Sequence, residues 1–265
     1  DESAFGEIGR SCHGLVPLPV AERAGLVFGS VRPDAWFDTD AWLGGYERVL
    51  AEHRFGDCRL VGRQRVAGPN WKLAYDGYLD FYHLPVLHRN TFGPDYNNKA
   101  IYDAWGPHQR LTQPDDRIVV LDGQPEDEWP HEAMLGGVWT IFPHVSVASF
   151  DAGGRLYMVS QLLPGPDPGS SVTVQNFLAT FEPTPETSEL IDTRMAFLLG
   201  VVRDEDYATG LGIQKALRTG ARDHVLFGRN EGGGQRFHRW VEQLVTTEDP
   251  DLPALIHGAE EFHQP

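Results

Sequence analysis

Residues 70–88, NWKLAYDGYLDFYHLPVLH, gather four groups able to do chemistry: the carboxylates of Asp76 and Asp80 and the imidazoles of His83 and His88. Neutral imidazole nitrogens bind divalent transition metals, and two of them with one carboxylate leave open positions on iron, an arrangement suited to oxygen chemistry. Spacing decides whether they can converge. With Asn70 as N-cap, a helix from Lys72 stacks Tyr75, Leu79, Tyr82 and Val86 on one face and Asp76, Asp80 and His83 on another. His83 and His88 then point about 140° apart around the axis and cannot share a ligand. Pro85 lifts that restriction. A proline lacks a backbone donor and clashes with the preceding turn, so the helix is expected to end near His83 and free His88 to swing back. The plainer readings are a solvated helix charge for Asp76 and a chance pairing for the two histidines.

These residues need a scaffold, and 265 residues with 41% hydrophobic content suffice for a sizeable core. A formal net charge of −16 without any basic tract argues against nucleic acid or an anionic membrane as partner. The apolar run MAFLLGVV is too short to cross a bilayer, and the first ten residues lack the pattern of a secretory signal. With only Cys12 and Cys58 available for disulfides, a cytoplasmic protein is expected.

The opening segment LVPLPVAERAGLVFGSV reads as two short strands, residues 15–20 and 26–31, too little for a domain alone. Residues 39–53 have helical spacing of Trp42, Tyr46 and Leu50, and residues 59–66 form a strand leading into the segment of interest. A polar loop region over 107–130 precedes three apolar runs, GGVWTIFPHVSVASF, RLYMVSQLLPG and SVTVQNFLATFEP, which read as long antiparallel strands. From Thr187 the pattern turns helical through SELIDTRMAFLLGVV, DEDYATGLGIQKAL and GGGQRFHRWVEQLV. Grouped strands followed by grouped helices indicate an α+β fold, an antiparallel sheet packed on helices.

The string NWK, an acidic residue, DFYH and a second histidine five further on resembles the catalytic domain of Rieske-type non-haem iron oxygenases, the ring-hydroxylating alpha subunits and their monooxygenase and demethylase relatives. IFPHVSVASF and LLPGPD look like that family's central strands, and residues 1–32 look like the end of its Rieske domain, leaving 33–265 as the catalytic domain. Asp76-Gly77 stands where many members have Glu-Asn, and His144 where an amide is common. The resemblance implies a helix-grip (START-like) fold closed by a long C-terminal helix, with mononuclear Fe(II) on His83, His88 and an aspartate of the late helix. An Asp with Gln eight residues on selects Asp206 with Gln214, with Asp204 as the competitor. Asp80 would link the iron to the cluster of a neighbouring subunit.

Further implications are an oxygenase that hydroxylates or oxidatively demethylates an aromatic or other apolar small molecule with O2, as in aromatic compound catabolism. Electrons would come from a reductase, with or without a ferredoxin, through a Rieske [2Fe-2S] cluster in a homotrimer. Phe81, Tyr82, Leu87, Phe92 and Phe142 are the candidates for lining the substrate pocket. A Rieske cluster needs Cys-x-His and Cys-x-x-His; Cys12 abuts His13 and Cys58 has no histidine just after it, so this chain does not bind the cluster. The alternative reading is a non-catalytic helix-grip carrier of a hydrophobic ligand, which has no use for a metal triad.

Overall fold

The computed structural model describes all residues except 1, 7–8, 10–12, 114–118, 120, 130–135, 222–223 and 264–265; Cys12 therefore lies outside the described residues. The N-terminal strands are β1 (Val20–Arg23) and β2 (Leu26–Gly29), an antiparallel hairpin separate from the main sheet. β1 sits later than the apolar run 15–20 suggests, whereas β2 begins at Leu26 as expected and ends two residues early; the turn between them falls at Ala24 and Gly25, both at positive φ (53° and 75°). A Cβ on Gly25 would lie 2.3 Å from the Gly56 backbone nitrogen, so this turn seats closely on the body of the protein.

The helix expected over 39–53 is two helices, α1 (Thr39–Leu43), capped by the Asp38 carboxylate, and α2 (Tyr46–Ala51). The break is at Gly44, with φ of 53°, a conformation favouring glycine. β3 (Arg59–Gly68) runs into α3 (Trp71–Asp76), followed after a turn by α4 (Leu84–Leu87). Next come β4 (Ile101–Trp105), β5 (His108–Gln113), β6 (Gly136–Ile141), β7 (Val145–Asp151), β8 (Arg155–Pro164) and β9 (Ser171–Ala179). The long helical region holds α5 (Pro185–Val201), a π turn (Val202–Asp206) and α6 (Tyr207–Leu217), and is followed by α7 (Gly232–Thr246), α8 (Leu252–His257) and β10 (Glu261–His263).

Among the described residues, eight strands form one antiparallel sheet in the order β10-β4-β5-β6-β7-β8-β9-β3. One face packs Trp139, Ile141, Val147, Tyr157 and Val159 against Leu43, Tyr46 and Leu50 of α1 and α2. On the other, Leu156, Met158 and Phe177 meet Ile191 and Leu198 of α5, while Val66 and Leu162 meet Tyr75, Leu79, Tyr207, Phe237 and Trp240. This second face is crossed by a polar row, since the register aligns Gln109, Thr140, Ser146, Ser160, Gln175 and Gln64 on successive strands. β5 therefore carries no apolar alternation, which is why its sequence reads as loop.

Gly233 brings α7 onto the turn after α3, since a Cβ there would be 2.4 Å from the Leu79 carbonyl, and Gly234 makes room for the Phe227 ring, 2.5 Å from where its Cβ would be. Close approach at Leu79 fixes the backbone next to Asp80. No described helix is long and apolar enough to cross a membrane.

Candidate metal centre

Convergence of the two histidines is achieved differently from the sequence expectation. The Asn70 carboxamide caps α3 by accepting from the Lys72 N–H at 2.9 Å, but the helix stops at Asp76, well before His83. Gly77 follows as its C-cap, and single turns from Tyr75 to Tyr78 and from Asp76 to Leu79 carry the chain on. Pro85 then opens α4 instead of closing α3, in the first turn where its missing N–H is not needed. His83 is the N-cap and His88 the C-cap of this four-residue helix, so the two imidazoles bracket one short turn with ring centroids 5.1 Å apart.

Both rings are held from behind by carboxylates. His83 Nδ1 lies 3.0 Å from Asp80 Oδ1, which also accepts from the His83 backbone N–H at 3.1 Å. His88 Nδ1 lies 2.5 Å from Glu205 Oε2, and the Thr91 hydroxyl donates to the other Glu205 oxygen. A carboxylate only accepts when ionised, so each Nδ1 carries a hydrogen, and each Nε2 is the nitrogen that would offer its lone pair to a metal bound in front. There, Asp206 Oδ1 is 3.1 Å from His88 Nε2 and 3.8 Å from His83 Nε2. One ligand atom from each of His83, His88 and Asp206 falls within 4.8 Å of the others. Two neutral nitrogens and one anionic oxygen converging from protein on one side fit a divalent transition metal with open positions.

The electrostatics follow from these contacts. Burial alone would push His88 down, but its hydrogen bonds to Asp206 and Glu205 outweigh that and leave its pKa raised. For Asp80 and Glu205 burial pushes upward, and bonds from His83 to Asp80 and from Thr91 and His88 to Glu205 reverse it, so both carboxyls sit low and stay ionised. Asp206 comes from the π turn, a distortion frequent at functional sites. Its rival Asp204 is exposed and pairs with Arg203 at 2.6 Å, away from the histidines. Gln214 accepts from the Asn70 N–H at 3.1 Å, tying α6 to the start of α3.

The structure spreads the other singled-out residues. Leu87 lines a cavity of about 220 Å³ together with Asp80, His83, Asp206, Ile213 and Phe227. Phe92 packs on the His88 ring, with centroids 5.2 Å apart, and continues into Tyr96 and Phe197. Phe81 is buried but does not line that cavity, and Tyr82 is 57% exposed. Phe142 lies elsewhere, against Phe237 and Trp42, on a second cavity of about 340 Å³ lined also by Trp36 and Phe28. Asp76 is not a solvated helix charge: His238 Nε2 contacts its two oxygens at 2.9 and 3.1 Å, and burial holds its pKa up. Sequence reasoning missed Glu205, Thr91 and His238. Glu205 stands inside the acidic run RDEDY, yet no spacing rule separates it from its neighbours before the π turn is known.

Cys58, the one cysteine among the described residues, bonds the Arg54 carbonyl through its thiol.

A model of the ring hydroxylating alpha subunit (catalytic domain) matches residues 41–247. The chain is 26% identical over 246 residues to the carnitine monooxygenase oxygenase subunit of Escherichia coli K12, covering 87% of this chain and 62% of that protein. It is 38% identical over 89 residues to the large oxygenase component of salicylate 5-hydroxylase from a Ralstonia species, covering 31% and 20% respectively. The solved quaternary ammonium Rieske monooxygenase CntA with L-carnitine superposes with a TM-score of 0.68 at 19% identity, covering 91% of this chain and 64% of that one. Pseudomonas putida CBB5 NdmA with caffeine gives a TM-score of 0.57 at 13% identity, covering 98% and 73%. At such identities the superpositions bear on the fold, and the chain spans less than two thirds of the carnitine monooxygenase subunit's length.

Proposed function

The chain belongs to the ring-hydroxylating alpha subunit family through its catalytic domain, and on that premise we propose that His83, His88 and Asp206 hold a mononuclear iron(II) for oxidation of a small molecule. The observation that carries the reading is the joint placement of one ligand atom from each of the three residues within 4.8 Å, with both Nε2 atoms facing Asp206 and both Nδ1 atoms held by further carboxylates. When bound, iron(II) supplies a site for O2. The chain's own residues do the rest. Asp80 and Glu205 fix the imidazole tautomers, and Asp206 supplies the compensating negative charge.

Asp80 is also the proposed point of electron entry. It lines the cavity beside His83, and in this proposal a histidine of a partner subunit would meet the carboxylate there. Phe92 on the His88 ring, with Tyr96 and Phe197 packed on Phe92, forms an aromatic group suited to an aromatic or other apolar substrate. The relatives' carnitine, salicylate and caffeine leave hydroxylation and oxidative demethylation both within the proposal. Residues 1–32 are proposed as the end of a Rieske domain, the complete protein as a cytoplasmic homotrimer, and its donors as a reductase with or without ferredoxin.

The test joins these residues to a Rieske domain and supplies reductase, NADH and candidate substrates. Product is expected only when the cluster is present. Efficient reductase-driven turnover by the 265 residues alone would overturn the electron route.

A further inference from the structure

The contacts at the back of His88 carry an inference that rests on His88 being a metal ligand. We infer that Glu205 is a positioning residue for that ligand, acting through a closed loop of hydrogen bonds that joins the two elements of the metal centre. Its Oε2 takes the His88 Nδ1–H at 2.5 Å and its Oε1 takes the Thr91 hydroxyl. The Thr91 backbone N–H closes the loop on the His88 carbonyl at 2.9 Å. His88 is 2% exposed, with Phe92 against its ring, so no bulk water stands ready to replace the carboxylate.

Chain geometry explains why this position bears Glu. Consecutive residues of the π turn grip opposite edges of one imidazole: Asp206 reaches Nε2 at 3.1 Å, and Glu205, one methylene longer, reaches Nδ1. Asp204, the next carboxylate back, points to Arg203 and takes no part. Glu205 thereby sets the ring plane, keeps the lone pair on Nε2 and strengthens that nitrogen as a donor.

The test is a Co(II) titration of the folded chain, without reductase or substrate, read by affinity and by the visible ligand-field spectrum, with the melting temperature of each metal-free variant recorded beside it. Glu205→Ala and Glu205→Asp are expected to weaken Co(II) binding by about 10–100-fold and to alter the spectrum. Glu205→Gln is expected to recover most of the affinity, because its amide oxygen can accept from Nδ1–H while its NH2 donates to Thr91. Thr91→Val should weaken binding by a smaller factor, and Asp204→Ala should leave it unchanged.

Folded Glu205→Ala with wild-type affinity and spectrum would overturn the inference while sparing the metal reading; a wild-type chain that takes no Co(II) would sink both. If Glu205→Ala does not fold, Glu205→Asp and Thr91→Val decide, and wild-type affinity in both overturns the inference. A uniform loss in Glu205→Gln and Glu205→Ala that tracks melting temperature alone would assign Glu205 a merely structural role.

Discussion

His88 and His108 are both almost wholly buried, at 2% and 0% exposure, yet they titrate in opposite directions. His108 sits in the aromatic core on the first face of the sheet, stacked on Tyr46 and edge-on to Trp42. Its Nε2–H donates to the Trp42 carbonyl and its Nδ1 accepts from the Phe142 N–H, so both nitrogens are spent on backbone and burial pulls its pKa down to about 4. His53, boxed by Trp139, Tyr157 and Phe55, is likewise lowered to about 4. His88 faces carboxylates on both edges instead. Burial is thus no guide to which histidine serves a metal; what stands at each ring nitrogen is.

The sharpest way to break this contrast is truncation. His83→Ala and His88→Ala are expected to abolish metal binding with the fold retained, whereas His108→Ala should cost on the order of 3 kcal/mol of stability and leave metal binding intact in the folded fraction. Metal analysis beside denaturant melts reads both, and metal loss in folded His108→Ala would erase the distinction. Next in size, Asp80→Asn should weaken metal binding by no more than about 10–100-fold while removing most reductase-driven turnover of the complete protein. Turnover kept at the wild-type rate would show that Asp80 is not the conduit.

Acid titration separates the two groups of histidines more gently. Unfolded imidazoles protonate near 6.5, whereas His53 and His108 resist until about 4. The unfolded chain binds more protons in that window, so the contribution of these two is full above pH 6.5 and is lost as pH falls towards 4. The slope is up to about 1.4 kcal/mol per pH unit for each histidine. His88 has the opposite sign in the metal-free protein: its contribution is present below 6.5 and lost as pH rises through its raised pKa. His53→Phe, which suits the aromatic box, should make the acid limb shallower, and an unchanged limb would show that another group controls it. The smallest expected effect is that of Asp204→Ala, no change in metal affinity, against complete loss in Asp206→Ala; the reverse result would put the ligand half a turn away.

The amphipathic parts of this fold were legible in the sequence. The strands around Val147, Met158 and Val174 stand out as apolar and β-branched runs, and α7 brings Phe237 and Trp240 to one face. β5 was hidden because its inward residues, His108 and Gln109, are polar and find partners only in the folded sheet. His83, His88 and Asp80 could be singled out by type and spacing, whereas Asp206 came only through the family resemblance, which pairs it with Gln214. The role of Pro85 could not, since the same residue that ends one helix can begin the next, and tertiary contacts of the Leu79 turn with α7 decide between them. Glu205 was hidden for a related reason, because the π turn that aims it has no local signal.

The most direct measurement is anomalous diffraction at the iron edge from crystals of the chain loaded anaerobically with Fe(II). One peak per chain is predicted, within bonding distance of Nε2 of His83, Nε2 of His88 and a carboxylate oxygen of Asp206, with Glu205 and Asp80 remaining on the Nδ1 atoms behind. No peak at this position, or iron bound through Asp204 or His108, would contradict the account.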